Sequence, residues 1–81
     1  MVTFSIHGPY IPLIQLLKAM GWVENGGEAQ AVVTEGLVKY NGQVDYRKRL
    51  KVKPGDVIEF EGQSVILCSE ENENETSAEH D

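Results

Sequence analysis

The spacing of apolar residues changes character at Gly36. Upstream, Leu13, Leu16, Leu17 and Met20 recur at i, i+3, i+4 and i+7, and Ala29, Val32 and Val33 repeat a shorter version of the same stripe. Downstream, "LVKYNGQVD" alternates apolar and polar residues with period two. The first spacing lines one face of a helix and the second one face of a strand. Residues 2–6, "VTFSI", add an alternating run at the start. The resulting order, strand, two helices, then strands, predicts an α+β domain.

Punctuation sharpens these elements. Gly8 and Pro9 end the first strand, which is expected at a sheet edge, and Pro12 suits the first turn of a helix that stops at Gly21. Asn25 and Glu28 have the three-residue spacing of a reciprocal helix cap, and Gly36 falls where a left-handed C-cap is expected. Asn41-Gly42 predicts a type I′ hairpin. Lys53-Pro54-Gly55-Asp56 predicts a type II turn, followed by strands "VIEF" and "SVILC" joined by a turn at Gly62. The expected architecture is an N-terminal strand, two short helices, a β-hairpin and further antiparallel strands. No internal repeat is visible.

At 81 residues the chain is one domain at most. No apolar run approaches the ~20 residues of a membrane span, and the N-terminus lacks the pattern of a secretory signal. The lone Cys68 suits a reducing compartment, so a cytoplasmic monomer away from membranes is expected. The formal net charge is −6, but six of the 13 acids lie in residues 70–81 with no Lys or Arg. That leaves 13 − 6 = 7 acids against 7 bases in residues 1–69. The domain, residues 1–69, is neutral. Residues 70–81, with Ala78 as their only apolar residue, cannot bury enough surface to offset ordering entropy and are expected to be a disordered acidic tail.

Five of the seven cations are Arg47, Lys48, Arg49, Lys51 and Lys53. If that segment is extended, Arg47, Arg49, Lys51 and Lys53 form a stripe of roughly 20 Å on one side. Such a stripe favours an external polyanion; a solvated strand face is the alternative. The opening of the second helix, Asn25, Gly26 and Gly27, offers backbone amides and the positive end of the macrodipole to a phosphate, or is an ordinary cap. Tyr46 and Trp22 could stack on bases or pack inward. Lys18 and Gln15 could extend the polar surface. No catalytic residue or metal-ligating set emerges, because His7, His80 and Cys68 lack partners at useful spacing. No cofactor is expected.

Ala29, Gly36, Val38 and Asn41-Gly42 fit the pattern A-x(6)-G-x-V-x-x-N-G, and Lys51, Gly55-Asp56 and Ile58 fit K-x-x-x-G-D-x-I/V. In this respect the chain resembles the S-four-type RNA-binding domain, or alpha-L motif. Residues 3–68 look like its small stand-alone bacterial members of the YbcJ type. The resemblance implies a non-catalytic module for structured RNA of ribosomal or transfer type, with ribosomal particles as further partners. By position it implies contacts at Asn25, Gly26, Gly27 and Gln30, at Lys18, and at Arg47, Lys48, Arg49 and Lys51. Many members carry Ser-Arg in place of Asn25-Gly26 and a Lys or Arg in place of Gln30. Here the electrostatic burden shifts to residues 47–53. A protein-interaction module docking an acidic partner, or the chain's own tail, is the competing expectation; such a tail would be autoinhibitory.

Overall fold

The structure is a computed structural model that describes residues 1–70. Nearly all of the expected acidic tail lies outside the described residues. The elements are β1 (Val2–Ile6), β2 (Ile11–Pro12), α1 (Leu13–Ala19), α2 (Gly26–Thr34), β3 (Val38–Tyr40), β4 (Gln43–Val44), β5 (Lys51–Val52), β6 (Val57–Phe60) and β7 (Gln63–Ser69). A five-stranded sheet runs in the order β1-β7-β6-β3-β4, and β2 pairs with β5 in a separate two-stranded sheet. The fold is α+β, as expected.

Both helices stop for the predicted reason. The Trp22 N–H donates to the Leu17 carbonyl at 3.1 Å and the Gly21 N–H to Lys18 at 3.0 Å; Leu37 and Gly36 repeat the pattern on Val32 and Val33. These paired bonds satisfy the last carbonyls, and they require a left-handed residue at the pivot. Gly21 and Gly36 supply it, at φ 76° and 80°. At the other end of α2, Asn25 Oδ1 accepts from the Glu28 N–H at 2.8 Å. The Glu28 carboxylate reaches back one residue further than the usual reciprocal cap, to the Glu24 N–H at 2.9 Å.

Leu13, Leu16 and Leu17 of α1 and Ala29 and Val33 of α2 are fully buried. They meet Val38, Ile58, Phe60, Val65 and Leu67 from the sheet in one cluster. Each fully buried large side chain contributes about 1.5–3 kcal/mol, so little of this small core is dispensable. Trp22 joins the cluster's edge, its ring 6.0 Å from that of Phe60. The inward reading of Trp22 therefore holds.

Two pairings were not expected. β1 is an edge strand, but it lies parallel to β7, Val2 facing Val65 and Ile6 facing Ser69. β2 and β5 pair antiparallel, Ile11 with Val52 and Pro12 with Lys51. Pro12 precedes α1 as its cap residue at ψ 139° rather than opening the first turn.

Candidate nucleic-acid interface

The basic segment is not the continuous strand that its alternation suggested. Only Lys51 and Val52 are extended into β5; Lys48 and Arg49 form a turn. The cause is burial: Leu50 and Val52 are 7% and 0% exposed. To bury both, the chain must descend to the core and then run along β2. The Leu13 N–H at the head of α1 donates to the Leu50 carbonyl at 2.9 Å, so the turn is fastened beside the helix pair. Arg47, Lys48, Arg49, Lys51 and Lys53 all stay exposed around this anchored loop.

Two open clefts flank it. One, of about 600 Å³, is lined by all five cations together with Tyr40 and Leu50. The other, of about 540 Å³, shares Lys48, Arg49 and Lys51 with the first and adds Tyr10, Pro12, Ile14 and Gln30. The turn is thus a cationic ridge between two depressions. Gln30 of α2 is brought to it, whereas Asn25, Gly26, Gly27, Lys18 and Tyr46 line neither cleft. Gly26 and Gly27 nonetheless sit one helical turn before Gln30, and Lys18 one turn after Ile14, so both helices lead their polar faces toward the ridge. The Gly26 and Gly27 amides make no hydrogen bond within the described residues. The Glu28 carboxylate beside them already meets part of the positive helix end.

The five cations differ in their surroundings. Arg47 folds back on Asp45, Nε donating to Oδ1 at 2.9 Å and Nη2 to Oδ2 at 2.7 Å. That fork holds the Asp45 carboxyl below its ordinary range and raises Arg47. The Arg47 guanidinium also lies 5.9 Å from the Tyr40 ring centre. Lys51 Nζ sits 5.0 Å from the Tyr10 ring centre. Among the described residues, Lys48, Arg49, Lys51 and Lys53 form no ion pair. The Lys53 ammonium lies in the field of Asp56 without an ion pair to it, and Lys48, Arg49 and Lys51 complete a set of four cations on the ridge outside any ion pair among the described residues.

Asp56 frames the site from below. Its Oδ2 accepts from the Tyr40 hydroxyl at 2.9 Å and the Lys53 N–H at 2.9 Å, and its Oδ1 accepts from the Asn41 amide at 3.3 Å. Asn41 Oδ1 in turn accepts from the Val57 N–H at 2.8 Å. The Asn-Gly and Gly-Asp signatures are therefore one network that fixes where the ridge ends. Burial pushes the Asp56 carboxyl up, but the Lys53 amide, the Tyr40 hydroxyl, the Asn41 amide and the Lys53 charge outweigh it and leave the group lowered. Asp56 raises Tyr40 in return, first through their hydrogen bond.

Tyr46 takes a different place. Its ring covers Gly36 at the end of α2, within 3.0 Å of where a Cβ would stand, and is 63% exposed. Tyr10 and Tyr40, which do reach the cations, carried no local sequence signal. Their partners Lys51 and Asp56 are remote in the chain.

An S4 domain family model matches residues 4–67, a span that contains both clefts and the network beneath them. The chain belongs to the S4 domain family. This is a family of RNA-binding domains and not of enzymes. The domain is 44% identical over 70 residues to YbcJ of Escherichia coli (strain K12), covering 85% of this chain and 100% of that protein. A Bacillus subtilis (strain 168) protein named "Probable ribosome maturation protein RlbA" is 38% identical over 58 residues, 72% of this chain and 82% of its own. The solution structure of E. coli YbcJ, described as revealing an alpha-L motif involved in RNA binding, matches with a TM-score of 0.65 at 42% identity. That match covers 84% of this chain and 87% of the other. No helix among the described residues is long and apolar enough to cross a membrane.

Proposed function

We propose that this S4 domain binds structured RNA in the cytoplasm, chiefly through backbone phosphates, and that ribosomal RNA is its first-choice ligand. The observation that carries the reading is the ridge itself. Four exposed cations that form no ion pair among the described residues are held around one anchored turn, in residues 1–69 whose seven acids and seven bases balance only when these cations are counted. Holding like charges together costs self-repulsion that a polyphosphate relieves. Arg49 can fork a phosphate, Lys48, Lys51 and Lys53 act as point charges, and the α2 amides add a neutral contact. The involvement of YbcJ in RNA binding and the ribosomal name of RlbA support the same ligand class.

The test is a fluorescence titration of a ribosomal RNA hairpin and a transfer RNA. Lys48→Ala/Arg49→Ala should weaken binding by on the order of tenfold or more, since each removes a charge-assisted contact. Both residues are exposed, so circular dichroism should be unchanged. Equal affinity in the double variant would overturn the reading.

A second reading, that the ridge docks carboxylates, has one specific support. The Gly55 N–H donates to the Leu67 carbonyl at 2.7 Å and the Leu67 N–H to Asp56 at 3.0 Å. The chain thus leaves β7 beside the Lys53–Asp56 turn, carrying Glu71, Glu73, Glu75, Glu79 and Asp81 beyond it. These acids would compete with RNA for the ridge rather than replace it as the ligand.

A further inference from the structure

The two clefts beside the ridge are chemically different. The one at Arg47 and Lys53 gathers all five cations around Leu50 and a Tyr40 whose hydroxyl is already bonded to Asp56 and whose ring faces Arg47. The one at Tyr10 has apolar walls, Pro12 and Ile14, an exposed amide, Gln30, and an aromatic ring, with Lys48, Arg49 and Lys51 at its lip. A paired helix offers a protein phosphates and sugars; its base faces are stacked away. An apolar, aromatic-walled recess gains nothing from such a surface, but it gains from the face of an unstacked base.

We propose, resting on the RNA-binding reading above, that the Tyr10–Ile14–Gln30 cleft receives one unpaired nucleotide, so that the domain recognises a bulge or loop beside a duplex. Three features fit that occupant. At about 540 Å³ the cleft lies within the roughly 300–1,000 Å³ of small-molecule sites, room enough for one base with its sugar. The Gln30 side chain makes no hydrogen bond within the described residues and presents both a donor and an acceptor to a base edge. Lys51, held 5.0 Å from the Tyr10 ring, couples the aromatic wall to a cation for the adjacent phosphate. The position of the wall is set by β2, whose pairing with β5 places Pro12 against Lys51. Tyr10 is 39% exposed, so part of the residue is accessible to a ligand.

The experiment compares two hairpin RNAs, one fully paired and one with a single bulged 2-aminopurine, titrated against the whole chain. The wild type should bind the bulged RNA more tightly and change the fluorescence of the probe base. Tyr10→Ala should weaken binding of the bulged RNA by roughly 5- to 150-fold, the range of one base-stacking contact, and by far more than it weakens binding of the paired hairpin. Tyr10→Phe should restore it, which separates stacking from a folding defect. Equal affinity for the two RNAs, or a Tyr10→Ala loss of equal size on both, would overturn the unpaired-nucleotide site and leave RNA binding intact. Binding to neither RNA by the wild type would overturn the functional reading and the site with it.

Discussion

Asp56 shows how one side chain can support a binding surface without touching the ligand. Three donors converge on its carboxylate, and two of them, the Tyr40 hydroxyl and the Lys53 amide, belong to residues lining the larger cleft. Replacing Asp56 by Ala leaves those donors without their acceptor, so the domain should lose about 1–3 kcal/mol in urea denaturation. The pH dependence follows from the direction of the shift. Asp45 and Asp56 both ionise below their ordinary 3.8 in the folded chain. Their stabilisation is complete above the unfolded value and disappears as pH falls through the folded ones. The gap in stability between wild type and Asp56→Asn should therefore be widest well above the ordinary 3.8 and close as pH falls below it through the lowered folded value. A constant gap would mean that the carboxylate's charge plays no part.

At the scale of elements, the end of α2 carries a separable test. Gly36 is both left-handed, at φ 80°, and covered by Tyr46, whose Cε1 would lie 3.0 Å from an added Cβ. The backbone penalty for a non-glycine residue is about 1–2 kcal/mol, whereas an exposed tyrosine ring can swing aside at little cost. Gly36→Ala should accordingly destabilise the domain by about 1–2 kcal/mol, and by nearly the same amount in a Tyr46→Ala background. A large coupling between the two sites in thermal or urea unfolding would show that the ring is held more firmly than its exposure implies. The β2–β5 pair works on the same scale: two residues on each strand are enough to carry the basic turn to the helices because Leu50 and Val52 anchor it in the core.

At the scale of the whole molecule, charge is divided rather than merely acidic. The ridge holds four cations free of ion pairs among the described residues. Four phosphate contacts at a slope of ~0.7 to 0.9 each imply that affinity falls roughly 50- to 150-fold between about 50 and about 200 mM salt. A flat titration would contradict a phosphate-led mechanism. A chain ending at Ser69 should bind RNA more tightly than the full chain, most visibly at low salt, if the six acids of residues 70–81 compete with RNA for the cations. Identical affinities would limit those acids to a role in solubility.

The sequence by itself determined the helices, their C-terminal glycine stops, the Asn25 cap, the Asn-Gly hairpin, the α+β order and the segment that carries the charge. Those are consequences of local spacing: each depends on residues within a few positions of one another, which a linear reading can see. Tertiary structure alone decided that β1 lies parallel to β7, that Lys48 and Arg49 turn instead of extending, and that Arg47 is spent partly on Asp45. It also brought Tyr10 to Lys51 and Tyr40 to Asp56. The alternation of Arg47 to Lys53 misled because burial of Leu50 and Val52 outweighs the preference of a free strand for straight extension. Contacts between residues distant in the chain leave no period behind them, and the binding surface is made of such contacts.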